Sequence, residues 1–345
     1  MDNQLISIIE KDACQIVSAV DLAEVKGKSV LITGASGLLG IYFLATMRVL
    51  ADQGNGPQSV TAVVYSEVMS PLPSLLNFKG ARVMQGDLTD LAFVQGLGKF
   101  DYVIHAAGYG QPGRFMEDRI KTIKLNTTTT LELFNALMPG GHFLFISTSE
   151  VYSGLPNPPY KEDQIGITNT THLRSCYIEA KRCGEAICNA YRERGYKANS
   201  ARLALAYGPG TKPNDRRVIN SFIERGINQC VITLQDMGVA KRTYCYVSDA
   251  VEILFHILLR GTMPVYNVGG LSRTTVANLA QKIGKYLKIP VEFPKEVIEL
   301  TGAPEDVYLN MELVRKEFEK TEFVSFDDGL SRTIEWQKAL YTIVS

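Results

Sequence analysis

The stretch that decides the fold is "SVLITGASGLLG" at 29–40, in which a short apolar run meets three glycines. The run is continuous rather than alternating, which is typical of a strand covered on both faces of a parallel sheet. Gly34, Gly37 and Gly40 then permit a tight turn and a close approach of the backbone to a ligand. A diphosphate at this turn would lie at the positive N-terminus of the next helix. The stretch therefore predicts a dinucleotide-binding strand, turn and helix.

Similar apolar runs recur along the chain and alternate with helical patterns. Besides the strand at 29–33, we predict strands at 59–65, 81–87, 101–107, 142–148 and 197–207. This alternation predicts the α/β class, with a Rossmann-type doubly wound parallel sheet. Ligands are then expected at the carboxyl ends of the strands.

The strand-helix alternation loosens after about residue 208, where the Gly/Pro-rich run "GPGTKPNDRR" begins. We therefore expect a smaller α/β C-terminal domain that binds a substrate. The predicted division is a helical extension at 1–26, an NAD-binding Rossmann domain at 27–208 plus about 242–268, and a substrate-binding domain at 209–241 and 269–345.

Composition narrows the possible partners. The 345 residues are 46% hydrophobic, and 36 basic residues balance 36 acidic ones, so no overall charge favours nucleic acid or an anionic membrane. The sequence shows neither a signal-peptide pattern nor a run of roughly 18 apolar residues, so we expect a soluble, cytoplasmic protein. Six cysteines and four scattered histidines lack the spacing of a metal site, and no metal is expected.

Two stretches carry groups that can move protons. "ISTSEVYS" at 146–153 ends a predicted strand, and "CYIEAKRCGEA" at 176–186 places a tyrosine and a lysine one helical turn apart. A lysine ammonium beside a phenol is expected to lower the phenol pKa from its usual value of about 10, which makes the tyrosine a usable base. The candidate catalytic residues are Thr148, Ser149, Glu150, Tyr177 and Lys181.

The end of the second predicted strand bears on the choice of dinucleotide. NAD-binding folds usually place an acid there, but this chain has Tyr65 and Ser66, and Glu67 follows slightly late. No arginine or lysine stands there for a 2′-phosphate, so NAD is favoured modestly and NADP stays open. Asp87, after the third strand, could accept a hydrogen bond from adenine or could be an ordinary turn residue.

At these residues the chain resembles the extended short-chain dehydrogenases/reductases, the NAD-dependent epimerase/dehydratase family that modifies nucleotide-linked sugars. The resemblance rests on "TGASGLLG", "HAAG", "STSEVYS", "YIEAK", "RLALAYGPG", "RTYCYVSDA", "YNVGG" and "DDGLSRTIEW". Within this group the chain is most similar to UDP-glucuronate decarboxylases. The dTDP-glucose 4,6-dehydratases, which have aspartate where Ser149 stands, come next.

The resemblance implies an NAD cofactor, a nucleotide-diphosphate sugar as substrate, and a homodimer formed through the helix that carries Tyr177. The residues that it implies for NAD are Gly34, Ser36, Gly37, Leu38, Leu39, Gly40, Tyr65, Asp87, Leu88, Ala106, Ala107, Gly108, Tyr177 and Lys181. Those that it implies for the substrate are Lys124, Arg217 and Arg242.

The resemblance also implies a reaction through a 4-keto sugar. Tyr177 would take the proton of the sugar 4-hydroxyl while C4 gives a hydride to NAD+. A C6 carboxylate would then leave as carbon dioxide, with Glu150 and Ser149 handling the proton at C5, before the hydride returns to C4. Epimerisation and 4,6-dehydration stay as alternatives, and a non-catalytic NAD-binding sensor or scaffold is the alternative from another class.

One departure from the family pattern concerns the substrate. The family often has asparagine where this chain has Leu205, and "GPGTK" lacks the arginine that decarboxylases tend to carry after the proline. The sugar or its nucleotide is therefore expected to differ from UDP-glucuronate in detail.

Overall fold

The computed structural model describes residues 2–66, 68, 70–294 and 306–344, so Glu67 lies outside the described residues. Within them the α-helices are α1 (Asp2–Ala19), α2 (Leu38–Asp52), α3 (Leu72–Leu75), α4 (Leu91–Gln95), α5 (Pro112–Glu117), α6 (Arg119–Asn126), α7 (Thr128–Asn135), α8 (Ser175–Glu193), α9 (Val218–Gln229), α10 (Val247–Arg260), α11 (Val276–Leu287), α12 (Glu312–Phe318) and α13 (Phe326–Val344). The strands are β1 (Ser29–Thr33), β2 (Ser59–Val64), β3 (Ala81–Gln85), β4 (Phe100–His105), β5 (Leu137–Thr148), β6 (Lys197–Leu203), β7 (Leu205–Tyr207), β8 (Ile232–Thr233), β9 (Lys241–Tyr246), β10 (Val265–Val268), β11 (Ser272–Thr275), β12 (Val291–Glu292) and β13 (Asp306–Val307).

The main sheet has the predicted doubly wound parallel form. In the described part of the chain it has seven strands in the order β10-β6-β5-β4-β1-β2-β3, and every neighbouring pair is parallel. The chain moves outward from β1 through β2 to β3, and then returns to β4 on the other side of β1. The strand order therefore reverses between β1 and β4, where sheets of this kind bind ligands.

A second sheet surrounds β9, which pairs antiparallel with β11 and parallel with β7 and β13. The single strand predicted at 197–207 is therefore wrong, because the chain forms two strands that belong to different sheets. The amide of Ala204 donates to the carbonyl of Val268 (2.8 Å), and the amide of Ala206 turns back to the carbonyl of Ala204 (2.8 Å). This turn ends β6 and directs β7 to β9.

The N-terminal helix α1 packs on α2 and α10 and buries one acidic side chain. The carboxylate of Asp12 accepts hydrogen bonds from the hydroxyls of Tyr42 (3.0 Å) and Tyr246 (2.7 Å) and pairs with Arg332 (2.7 Å). Burial raises the pKa of Asp12 although these partners oppose the shift. One carboxylate therefore connects α1 to α2, to the end of β9 and to α13.

Candidate active site

A cavity of about 530 Å³ opens at the carboxyl ends of the main-sheet strands. The glycine turn after β1, the segments that follow β4 and β5, helix α8 and the loop at 208–217 all contribute to its wall. It therefore lies where the reversal of strand order predicts a ligand.

The glycine turn brings the backbone close to this cavity. Gly34 has a φ of +68°, and a Cβ there would lie 2.6 Å from the carbonyl oxygen of Ala106. A Cβ on Gly40 would lie 2.5 Å from the carbonyl oxygen of Gly34. Neither position accepts a side chain without movement of the backbone, and α2 begins at once after the turn. The two glycines therefore let the turn pack tightly against the end of β4 and present the N-terminus of α2 to the cavity, which fits the diphosphate of a dinucleotide.

Every residue predicted to bind the dinucleotide lines this cavity. They are Gly34, Ser36, Gly37, Leu38, Leu39, Gly40, Tyr65, Asp87, Leu88, Ala106, Ala107, Gly108, Tyr177 and Lys181. Their contacts with a dinucleotide stay predictions, but the structure brings all of them to one wall.

A lysine that the sequence reasoning missed lies at the predicted adenosine end. The ammonium of Lys121 contacts the carboxylate of Asp87 (2.6 Å) and the hydroxyl of Tyr65 (3.0 Å). Partial burial opposes ionisation of Asp87, but hydrogen bonds from Lys121 and Thr89 hold its pKa below the ordinary value. The end of the second strand has no basic residue of its own, but α6 brings Lys121 to it from a distant part of the sequence.

Three of the predicted catalytic residues meet where β5 ends and α8 begins. Thr148 and Tyr177 are hydrogen-bonded through their side chains. The ring of Tyr177 stacks on Phe115, with 4.5 Å between centroids and 3° between planes. The ammonium of Lys181 donates to the carbonyl of Ile146 (2.6 Å) and lies 5.9 Å from the centre of the Tyr177 ring. All three side chains are buried and line the cavity.

The electrostatics at Tyr177 differ from the prediction. Burial raises the pKa of Tyr177 above its ordinary value, and the charge of Glu150 raises it further. The hydrogen bond with Thr148 and the charge of Arg174 act in the opposite direction but are smaller. Burial also lowers the pKa of Lys181 to about 7. The predicted lowering of the Tyr177 pKa by Lys181 is therefore wrong for the protein chain alone, because desolvation outweighs the nearby charges.

Glu150 has a partner that the sequence reasoning did not identify. Its carboxylate forms an ion pair with the guanidinium of Arg174, and both side chains line the cavity. Burial raises the pKa of Glu150, and Arg174 opposes the shift. The Nε atom of Arg174 is buried without a hydrogen-bond partner in the described residues. Arg174 lies three residues before Tyr177 in "RSCYIEAK", and that proximity was the available signal.

The three basic residues predicted for the substrate have different surroundings. Arg242, on β9, lines the cavity and forms no salt bridge within the described residues. Arg217 also lines it, but its guanidinium is paired with Asp215, with Nε 3.0 Å from both carboxylate oxygens. Lys124 does not line the cavity and is exposed on α6. The helix presents Lys121 and Leu125 to the cavity instead, which are one turn apart on the same face.

The wall beside Arg242 is apolar. Leu205 on β7 and Val307 on β13 both line the cavity, and both strands pair directly with β9. The sequence indicated that Leu205 stands where the family often has a polar asparagine. Its neighbour in the wall, Val307, is also apolar and does not replace that polar group. Any ligand group at this wall meets hydrocarbon.

Comparisons with known proteins agree with this geometry. A model of the NAD dependent epimerase/dehydratase family matches residues 30–269. UDP-glucuronic acid decarboxylase 6 of Arabidopsis thaliana is 29% identical over 266 residues, which cover 76% of this chain and 75% of that protein. An epimerase structure from Methanothermobacter thermautotrophicus is 21% identical with a TM-score of 0.79, and covers 98% of this chain and 97% of its own. The Bordetella bronchiseptica enzyme WbmF, in complex with NAD+, is 25% identical with a TM-score of 0.70, and covers 93% of this chain and 96% of its own.

Proposed function

This chain belongs to the NAD dependent epimerase/dehydratase family, and we propose that it is an NAD-dependent enzyme that decarboxylates a UDP-glucuronate-like sugar nucleotide through a 4-keto intermediate. The observation that carries the proposal is the convergence of Thr148, Tyr177 and Lys181 in one cavity with the glycine turn. A protein that only binds a dinucleotide has no need of all three side chains.

The cavity residues fit NAD. Gly34 and Gly40 let the turn after β1 pack tightly, and the N-terminus of α2, which this turn presents to the cavity, favours a diphosphate. Tyr65 and Asp87 lie at the adenosine end, while Tyr177 and Lys181 lie at the reactive end. When it is bound, NAD+ supplies a hydride acceptor, and its reduced form supplies the hydride donor.

Tyr177 is the proposed base for the sugar 4-hydroxyl. Its hydrogen bond with Thr148 fixes the phenol and leaves both oxygens able to contact the same substrate oxygen. The stacking on Phe115 holds the ring plane. Lys181, anchored on the carbonyl of Ile146, has further N–H groups that can bind a ribose hydroxyl. These contacts position the reacting C4 atom and provide an acceptor for the proton of its hydroxyl.

Arg174 and Arg242 favour a substrate that carries a negative charge. In the described wall of the cavity, Asp87 and Asp215 each have a basic partner close by, and Glu150 is paired with Arg174. Arg242 adds a cation without a salt bridge there, and the electrostatic interaction between Arg174 and Arg242 places both at the same end. A C6 carboxylate suits these two guanidiniums better than a neutral hydroxymethyl group does.

Two observations bear on the alternatives. Ser149 stands where the resembling dehydratases have an aspartate, so the acid expected for elimination is missing. The curated relative that is 29% identical is a UDP-glucuronic acid decarboxylase. The apolar wall of Leu205 and Val307 favours a substrate that differs from UDP-glucuronate where it meets that wall.

Three further expectations stay proposals. We propose that residues 209–241 and 269–345 bind the sugar nucleotide, because Arg217 from one segment and Val307 from the other line the cavity. We also propose a homodimer through α8 and a cytoplasmic location, both of which rest on the sequence. Within the described residues, no helix is long and apolar enough to cross a membrane.

Mass spectrometry of products from a panel of sugar nucleotides, with NAD+ present, tests the reaction. Loss of the mass of carbon dioxide from a uronic acid nucleotide supports the proposal. Loss of the mass of water would indicate a dehydratase, and an isomer of unchanged mass would indicate an epimerase. Binding of NAD+ without turnover across the panel would contradict the enzymatic function and favour a sensor.

A further inference from the structure

The loop at 208–217 carries a lysine across the cavity to the glycine turn. The ammonium of Lys212 donates to the hydroxyl of Ser36 (3.2 Å), which lies in the turn between β1 and α2. Lys212 and Ser36 are 176 residues apart in sequence. The contact therefore joins the loop that follows β7, a strand of the second sheet, to the glycine turn that is proposed to bind the diphosphate.

The loop is held in this position by buried contacts. The indole nitrogen of Trp336 donates to the carbonyl of Thr211 (2.9 Å), and the hydroxyl of Thr211 donates to the carbonyl of Gly208 (2.9 Å). Trp336 and Thr211 are both 2% exposed. At Gly210 a Cβ would lie 3.5 Å from the side chain of Leu38, so the loop backbone runs close to the first turn of α2. The position of Lys212 is therefore set by packing and not by its own side chain.

The charge of Lys212 lacks a carboxylate partner. Among the described residues it forms no salt bridge, and Arg114, which also lines the cavity, forms none either. Desolvation and the positive charge of Arg114 both lower the pKa of Lys212. Two neighbouring cations without a counterion in a cavity wall favour an anionic ligand between them.

We propose that Lys212 binds the diphosphate of the dinucleotide and covers it from the side opposite the N-terminus of α2. This inference rests on the proposed NAD-dependent function. The diphosphate of the sugar nucleotide is the competing ligand, but the contact with Ser36 favours the dinucleotide. Ser36 is part of the turn that presents the N-terminus of α2 to the cavity, whereas Arg242 lies in the wall formed by the second sheet. Decarboxylases tend to have arginine after the proline of this loop, where this chain has Gly210. Lys212 supplies a cation two residues later.

Equilibrium binding of ADP-ribose and of UDP to nucleotide-free protein tests the proposal. Loss of one charge-assisted hydrogen bond is expected to weaken ADP-ribose binding about tenfold to a hundredfold in Lys212→Ala. Lys212→Arg is expected to restore most of it, and UDP binding is expected to stay unchanged. The ADP-ribose affinity of Lys212→Ala should also depend less on salt, because one screened attraction is gone. Lys11→Ala, on the exposed face of α1, is the matched control.

The outcomes are distinguishable. Unchanged ADP-ribose binding in Lys212→Ala, or a loss of UDP binding as large as the loss of ADP-ribose binding, would overturn the inference. If the unmodified protein does not bind ADP-ribose, the proposed NAD-dependent function fails first. Thermal unfolding without ligand shows whether the alanine variant is folded. Lys212→Met, which keeps an unbranched side chain of nearly the same length and removes the charge, replaces the alanine variant if that variant is not folded.

Discussion

At the scale of single residues, the phenol of Tyr177 lies between groups of opposite charge. Glu150 and burial disfavour its ionisation, while Thr148 and Arg174 favour it. The sequence predicted that Thr148, Glu150 and Tyr177 meet, but it could not give this balance, because desolvation depends on packing from Phe115 and its neighbours. The chain by itself therefore favours the neutral phenol of Tyr177, because burial raises its pKa.

Replacing Tyr177 by phenylalanine tests its role as the base. The ring can keep its stacking on Phe115, so the fold and dinucleotide binding should persist. Without the hydroxyl, turnover should fall by about a hundredfold to ten-thousandfold, which is the usual contribution of a positioned base. Steady-state turnover and NADH fluorescence on binding measure the two effects. The control is Tyr286→Phe, which removes a hydroxyl from the surface of α11. It should change neither turnover nor dinucleotide binding. Undiminished turnover in Tyr177→Phe would remove it from the mechanism.

Replacing Glu150 by glutamine tests both its charge and its proton transfer. The negative charge of Glu150 raises the pKa of Tyr177, so its loss should lower that pKa. The rising limb of the pH profile for sugar oxidation should therefore move to lower pH. Oxidation should then proceed while the step at C5 stalls, and NADH should accumulate, as its absorbance reports. Product formation at the original rate would show that Glu150 handles no proton.

At the scale of helices and strands, the elements that depend on local sequence could be predicted, and those that depend on distant contacts could not. The predicted strand at 29–33 matches β1, because a continuous apolar run bounded by glycines has few alternatives. The strand predicted at 197–207 failed, because the turn at Ala204 depends on hydrogen bonds to Val268, which is distant in sequence. Lys124, predicted for the substrate, does not line the cavity for a related reason. Spacing alone did not show which face of α6 meets the cavity.

Helix α1 offers a stability prediction at this scale. Asp12 is buried and accepts bonds from Tyr42, Tyr246 and Arg332. Asp12→Ala leaves these donors without an acceptor and should lower the free energy of unfolding by about 3 to 5 kcal/mol. Urea unfolding measures the change. Asp21→Ala, exposed beyond the end of α1, is the control and should have little effect. An equally stable Asp12→Ala protein would show that α1 is not held by this carboxylate.

The pH dependence of the same site has a defined sign. The pKa of Asp12 is raised in the folded protein from an ordinary value of 3.8, so the folded state binds the proton more tightly than the unfolded state. Its contribution to stability should therefore fall as the pH rises above 3.8 and through the folded pKa. Asp12→Asn lacks this titration. The difference in unfolding free energy between the wild type and Asp12→Asn should favour the wild type more at the acidic end of that window.

At the scale of the whole molecule, the balanced total charge hides a local asymmetry. Equal numbers of acidic and basic residues gave no indication of an anionic ligand. The fold nevertheless gathers Arg114, Arg174, Lys212 and Arg242 around one cavity from four separate segments. Sequence motifs could identify the glycine turn and the Tyr-Lys pair, because both are local. The resemblance identified Arg242 but not Arg114, Arg174 or Lys212, because the fold brings these three to the cavity from separate segments.

The central claim is that a hydride leaves C4 of the sugar while Tyr177 takes the hydroxyl proton. Stopped-flow absorbance with stoichiometric NAD+ and UDP-glucuronate, protiated or deuterated at C4, tests it most directly. The account predicts that NADH absorbance rises and then falls as product forms, with a slower rise for the deuterated sugar. Product formation with neither an NADH signal nor an isotope effect would contradict it.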